Sequence, residues 1–170
     1  MKPLTRILPL ILLLLTESFS SFSQTIELRA GQTLFPGMYA AFRYEHPSNS
    51  EINLAGGLYL ESANKYNLRY RCYGAEILAQ YTSDHDNENL FSFKASLGGI
   101  IQIENEPWVY KDWNIPKRLN YGIAAEAAGI LNLSDAFALS VFGQQKFLFN
   151  KILGTTHFLF GAGLSYRLSQ

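Results

Sequence analysis

Hydrophobic and polar residues alternate with a period of two along most of the chain. The segment Glu51–Leu60 shows the pattern plainly. Its even-numbered positions carry Ile, Leu, Gly, Leu and Leu, and its odd-numbered positions carry Glu, Asn, Ala, Gly and Tyr. Because successive side chains of a β-strand point to opposite faces, this alternation predicts a strand with one apolar and one polar face. No segment has a convincing amphipathic-helix period.

The alternation predicts eight strands in total. They are approximately Thr25–Thr33, Met38–Glu45, Glu51–Leu60, Leu68–Thr82, Phe91–Glu104, Tyr121–Leu133, Ala136–Phe147 and Thr156–Leu168. Several of the intervening segments are rich in Pro, Asn, Asp and Ser, which favour turns. Eight such strands predict an all-β fold, an eight-stranded antiparallel up-and-down β-barrel of the outer-membrane type.

The predicted connections differ between the two ends of the barrel. Turn-like segments at one end cover about 46–50, 83–88 and 133–135, and more varied segments at the other end cover about 34–37, 61–67, 105–118 and 148–155. Short turns at one end and longer loops at the other are typical of outer-membrane barrels. With eight strands both termini lie on the turn side, which such a barrel places in the periplasm.

The apolar strand faces leave two architectures open. A soluble lipocalin-type barrel also has eight alternating strands, but it points its apolar residues inward, whereas an outer-membrane barrel points them at lipid. Aromatic residues of the apolar face gather near both strand ends: Tyr44, Tyr81, Phe91, Phe93, Phe137 and Tyr166 on the turn side, and Tyr73, Tyr121, Phe147 and Phe158 on the loop side. Two aromatic girdles around an aliphatic band favour the membrane.

The polar strand faces carry charges of both signs in nearly equal number. The acids are Glu27, Glu45, Glu51, Glu76, Glu104 and Glu126, and the bases are Arg29, Arg43, Lys94, Lys146 and Arg167. Eight strands enclose only enough space for side chains, and an unpaired buried charge is costly. We therefore expect these residues to form a lumen charge network that fills the barrel, so that the barrel is plugged and is not a pore.

The composition excludes several other classes of protein. The 170 residues include 14 Lys and Arg against 14 Asp and Glu, so no basic excess is available to neutralise the phosphates of a nucleic acid. Because 48% of the residues are hydrophobic, disorder is not expected. One cysteine cannot form a disulfide framework.

The first residues have the features of a secretory signal peptide. Lys2 and Arg6 precede an apolar stretch from Ile7 to Leu15, and Ser21–Ser23 fits a small-x-small cleavage site. We expect cleavage near Ser23/Gln24, which gives a signal peptide at 1–23, a barrel domain at 24–170 and a location in the outer membrane. The alternative, a transmembrane anchor, needs about 20 apolar residues.

Few residues suggest a catalytic, metal-binding or ligand-binding site. His46, His85 and His157 lack metal-ligand spacing, and Cys72 is interpreted as a small side chain facing the lumen. We therefore expect no enzymatic activity, cofactor, metal or small-molecule substrate. Trp108, Tyr110 and Trp113 lie in the longest predicted loop beside charged residues, and they suit either a partner contact or a fold back over the barrel mouth.

Parts of the chain resemble a known family. The run 119–135 (LNYGIAAEAAGILNLSD) resembles a hairpin of the conjugative transposon TraO proteins of Bacteroidetes, and 151–166 (KILGTTHFLFGAGLSY) resembles their closing strand. The strand from Gly74 to Asp84 is similar more loosely. The resemblance implies a role in the envelope-spanning apparatus of conjugation, with membrane lipid and other envelope or conjugation proteins as partners. It implies no catalytic residue and no direct contact with nucleic acid.

Three functions therefore stay open from the sequence. The first is a structural component of a conjugative DNA-transfer apparatus. The second is a generic small outer-membrane barrel that stabilises the membrane or binds a partner. The third is a soluble periplasmic barrel that binds lipid.

Overall fold

The computed structural model describes residues 24–34, 37–48, 52–65, 68–83, 90–105, 118–149 and 156–168. The predicted signal peptide at 1–23 lies outside the described residues, as do Glu51, Trp108, Tyr110 and Trp113. No helix in the described part of the chain is long and apolar enough to cross a membrane.

Eight strands form one closed antiparallel barrel in which each strand pairs with its neighbours in sequence and β8 pairs with β1. The strands are β1 Gln24–Thr33, β2 Gly37–His46, β3 Ile52–Lys65, β4 Leu68–Thr82, β5 Phe91–Asn105, β6 Arg118–Asn132, β7 Phe137–Leu148 and β8 Thr156–Leu168. The predicted fold class is therefore confirmed. Closure satisfies the backbone hydrogen bonds of what would otherwise be two open sheet edges.

The alternation of the sequence becomes the two faces of the barrel wall. Side chains at odd-numbered positions of β1, β2, β3 and β8 face the lumen, and those at even-numbered positions of β4 to β7 do the same. Cross-strand registers such as Arg43 with Gly57 and Gly57 with Glu76 keep these inward positions side by side around the wall. The polar residues of the alternating pattern therefore face the lumen.

The third strand is longer than the sequence pattern predicts. It was expected to end at Leu60, but it continues to Lys65 and pairs there with Leu68 of β4. The added residues, 61–65, are mostly polar, so they lack the alternation that marks a strand. The backbone ladder to β4 holds them in place without an apolar outer face.

This extension weakens the predicted contrast between short turns and long loops. The connections at the end carrying Gln24 and Leu168 are 47–51, 83–90 and 133–136, and those at the other end are 34–36, 66–67, 106–117 and 149–155. The expectation is wrong for 34–36 and 66–67, which are the two shortest connections. We call the two ends the terminal end and the loop end.

The seam between the first and last strands needs glycine. Gly31 of β1 is paired with Gly161 of β8, and a Cβ atom at either position would overlap the backbone of the other strand. Glycine permits this close approach of the two backbones. The seam thus closes where the side chains are smallest.

Candidate functional site: a charged lumen within an apolar shell

The outer surface of the barrel is apolar across the middle of the strands. Leu58, Ile77 and Val141 are 65%, 63% and 70% exposed, although each lies well inside a strand. Among the outward side chains that the structure describes on the strands, Arg71 is the single charged group that is exposed. A continuous apolar surface of this extent is not compatible with a monomer in water and is typical of a lipid-facing wall.

Aromatic side chains lie towards the two edges of this apolar surface. Near the terminal end the exposed aromatic residues are Tyr81, Phe91, Phe93, Phe137 and Tyr166, and near the loop end they are Tyr73, Tyr121, Phe147, Phe149 and Phe158. The rings of Phe137 and Tyr166 lie 5.1 Å apart across β7 and β8. Tyr44 is half-buried, and Phe42 and Phe160 are further exposed aromatic residues on the same surface.

The centre of the lumen is organised around Arg43 of β2. Its guanidinium group donates to Glu76 at 2.5 Å and to Glu126 at 2.7 Å, so one cation joins strands on different sides of the barrel. The Arg43 side chain is fully buried, as expected only for a charge with good partners. The fork geometry of guanidinium allows it to contact two carboxylates at once.

A second arginine shares one of these carboxylates. Arg29 of β1 lies 2.7 Å from Glu126 and 2.8 Å from Glu27, and it also lies over the ring of Phe142 at 4.4 Å. Ser140 donates to Glu27 at 2.6 Å. We call the group formed by Glu27, Arg29, Arg43, Glu76 and Glu126 the central cluster.

A second cluster lies nearer the loop end and includes two residues, Glu61 and His157, that are not among the predicted lumen charges. Lys146 lies 3.2 Å from Glu61, and His157 lies at the same distance from the other oxygen of that carboxylate. Lys146 also lies 3.5 Å from the ring centroid of Tyr59, a cation–π contact. We call Glu61, Lys146, His157 and Tyr59 the loop-end cluster.

Neither the inward position of Glu61 nor the role of His157 was predicted from the sequence. Glu61 was placed in a loop because β3 was expected to end at Leu60, but the residue lies on the inward face of the extended strand. Its odd number matches the inward register of β3, which is the signal that could have revealed it. His157 lies on the inward face of β8, and a lone histidine in the sequence gives no indication of its partner.

The remaining predicted charges lie in the lumen away from these two clusters. Lys94 contacts Glu45 at 2.6 Å near the terminal end. Glu104 near the loop end accepts from the side-chain amides of Gln102 and Asn120 at 2.6 and 2.8 Å. Arg167 is only half-buried at the terminal rim, where it donates to Asn132.

The structure therefore brings most of the predicted network together. Nine of the eleven predicted residues are buried in the lumen: Glu27, Arg29, Arg43, Glu45, Glu76, Lys94, Glu104, Glu126 and Lys146. Arg167 lies at the rim, and Glu51 lies outside the described residues. The candidate partner loop with Trp108, Tyr110 and Trp113 also lies outside them.

Apolar side chains fill the lumen between the charges. One group contains Tyr39, Tyr59, Ala128, Phe142 and Leu159, and another contains Ala55, Leu78, Ile100, Ala124 and Leu148. Cys72 is a free, fully buried cysteine on the inward face of β4. The lumen thus holds buried apolar side chains as well as ion pairs.

Known structures with a similar fold are small outer-membrane barrels. The N-terminal β-barrel domain of Pseudomonas aeruginosa OprF matches with a TM-score of 0.65 and 12% identity over 86% of this chain and 97% of that chain. P. aeruginosa OprG matches with a TM-score of 0.67 and 8% identity over 87% and 97%. Neisserial surface protein A matches with a TM-score of 0.64 and 8% identity over 86% and 95%.

At these identities the likeness concerns the fold alone. No protein-family model matches the chain, and no curated protein matches it. The chain thus has the fold of small outer-membrane β-barrels, while the sequence resemblance to the TraO proteins is not tested by these matches.

Proposed function

We propose that this protein is an exported outer-membrane barrel that acts as a structural component of a conjugative DNA-transfer apparatus. The observation that supports the membrane location most directly is the reversal of faces: exposed Leu58 and Val141 surround a buried Arg43. A soluble lipid-binding barrel would need the opposite arrangement, with charges outside and an apolar cavity inside. The resemblance of 119–135 and 151–166 to the TraO proteins supports the role in conjugation.

Membrane fractionation tests the location. The full chain, expressed in its native host, should be found with the outer membrane and should migrate faster on a gel before heating than after it, because a folded barrel stays compact in detergent. Recovery from the soluble periplasm, without heat-dependent mobility, would favour the soluble lipid-binding barrel. Mass determination of the exported protein tests cleavage near Ser23/Gln24 in the same sample.

We infer that the barrel is a sealed support and does not conduct DNA. Hydrogen bonds join Arg43 to Glu76 and Glu126 inside the lumen, and two groups of buried apolar side chains occupy further space there. Eight strands enclose only enough space for side chains, which is far too narrow for a DNA strand. Purified protein in a planar phosphatidylcholine bilayer should therefore give no steady ionic current, and stable conductance steps would contradict a sealed barrel.

A deletion strain tests the role in conjugation. Removal of the chain from a donor cell should reduce the frequency of transfer, and expression of the full chain from a second locus should restore it. A donor that transfers normally without the protein would favour the generic outer-membrane barrel. Transfer genes on both sides of the coding sequence would agree with the conjugation role.

The loop at 106–117 is the proposed contact for an envelope partner. Trp108 and Trp113 carry large amphipathic rings beside charged residues, a composition that suits protein interfaces. Replacing both with Ala should reduce recovery of conjugation proteins in a pull-down from donor membranes, while heat-dependent mobility stays normal. A control with Phe149→Ala, an exposed aromatic outside this loop, should recover them normally. Equal recovery by all three proteins would contradict the partner role.

A further inference from the structure

A groove interrupts the outer surface of the barrel across β1 to β4, on the loop-end side. Its volume is about 340 Å³, and its lining includes Ala30, Ala40, Leu60 and Tyr73. These four residues follow one cross-strand register, with Ala30 paired to Ala40, Ala40 to Leu60 and Leu60 to Tyr73. Two alanines therefore form a shallow floor, and larger side chains form a wall beside it.

The groove is apolar along this row and polar along the next row towards the loop end. Ser62 of β3 is paired with Arg71 of β4, and both line the groove. Arg71 is exposed and lies on the same outward face of β4 as Tyr73, two residues nearer the loop end. The aromatic residues of the loop-end edge mark the level of the membrane interface, so the guanidinium group lies at the level of lipid headgroups.

We propose that the groove binds one anionic glycerophospholipid, with an acyl chain along the Ala30–Ala40 floor and the phosphate at Arg71 and Ser62. Guanidinium binds phosphate through paired N–H groups, and the Ser62 hydroxyl adds a further donor. This inference rests on the membrane location proposed above. It assigns to the loop-end leaflet a specific lipid contact that a uniform apolar wall would not provide.

Charge and shape together select this occupant. The exposed guanidinium group of Arg71 at the polar edge of the groove supplies the positive charge that a phosphodiester requires. A second copy of the barrel at this position would place two Arg71 side chains close together at a symmetric interface, which is repulsive. The apolar floor also needs an apolar partner, which a soluble anion does not have.

Native mass spectrometry of the full barrel tests the proposal. Protein folded in an equal mixture of phosphatidylglycerol and phosphatidylcholine, then released gently into detergent, should retain phosphatidylglycerol preferentially. Arg71→Gln should reduce that preference about tenfold, the factor expected when one charge-assisted hydrogen bond is lost. Arg71→Lys keeps the charge and should retain most of the preference.

A second pair of variants tests the floor of the groove. Ala40→Trp fills the groove and should reduce retention of both lipids, because the acyl chain loses its place. Ala127→Trp is the matched control, since Ala127 is also an exposed outward alanine but lies on β6, away from the groove. Retention by the control should equal that of the unmodified protein.

The outcomes separate this proposal from the membrane location. Every variant is first checked for heat-dependent mobility after insertion into pure phosphatidylcholine vesicles. Failure of the unmodified chain to insert would overturn both proposals. Insertion with equal retention of the two lipids, or an unchanged preference in Arg71→Gln, would overturn the lipid site alone. A dimer that Ala40→Trp abolishes, with no retained lipid, would assign the groove to a second copy instead.

Discussion

The two faces of the barrel wall belong to the same eight strands but have opposite surroundings. On the outer face Leu58 is 65% exposed, whereas on the inner face Arg43 is fully buried among carboxylates. In water both positions would be unfavourable. The comparison teaches that the medium on each side decides which residue fits: hydrocarbon accepts a bare aliphatic side chain outside, and ion pairing makes a charge acceptable inside.

The inner face also differs from the outer face in how strongly its residues depend on one another. Outward side chains contact neighbours on adjacent strands, so each can change almost independently. Inward charges are shared, because Glu126 contacts both Arg29 and Arg43. Single substitutions in the central cluster should therefore have larger and less additive effects than those on the wall.

The largest expected effect is in the central cluster. Arg43→Met should lower the free energy of unfolding by about 3–5 kcal/mol, because Glu76 and Glu126 lose their shared cation while they stay buried. Urea titration of the barrel in phosphatidylcholine vesicles, followed by gel mobility, measures the loss.

A double variant distinguishes an uncompensated charge from a simple packing defect. Arg43→Met combined with Glu126→Gln removes one of the stranded carboxylates, so part of the lost stability should return. The shared-charge interpretation fails if Glu126→Gln lowers the free energy of unfolding as much in the Arg43→Met background as it does in the unmodified protein. The two residues would then act independently.

On the outer face the expected loss is somewhat smaller and depends on depth. Ile77→Arg should cost about 2–4 kcal/mol, because it places a charge on the lipid face near the middle of β4. The matched variant Leu119→Arg lies at the loop-end start of β6 and should cost about 1 kcal/mol or less. The same urea titration compares them, and equal small losses would indicate that the outer face meets water.

The sequence pattern predicts the fold well because the alternation is visible within each strand separately. A period of two is a local signal, and the wall of a membrane barrel enforces it on every strand, so all eight strands follow from it. The inward position of Arg43 follows only when the aromatic girdles are added, because the alternation alone also fits a soluble barrel. The ends of the strands are different. Beyond the apolar band the outer residues become polar, and the pattern fades while the backbone ladder continues, which is why Glu61 was assigned to a loop.

Partners within the lumen could not be predicted in the same way. Arg43 donates to Glu126, which is 83 residues away, and His157 lies beside Glu61, which is 96 residues away. Barrel closure and strand tilt decide which side chains meet across the lumen, and a local sequence pattern predicts neither of them. Residue type and odd or even position in a strand therefore predict which side chains face the lumen. Barrel closure and strand tilt decide which of those side chains pair.

The smallest expected effect compares the same substitution on both faces. Tyr59→Phe removes the hydroxyl that donates to Gln102 at 2.7 Å but keeps the ring beneath Lys146, so it should lower the free energy of unfolding by about 1 kcal/mol. Tyr121→Phe on the outer face removes a hydroxyl that is near the membrane interface and should change stability by less than about 0.5 kcal/mol. Both are measured by the urea titration used for Arg43. Equal losses at the two positions would mean that the inner hydroxyl is as well solvated as the outer one, and the lumen would then hold water where a packed network is expected.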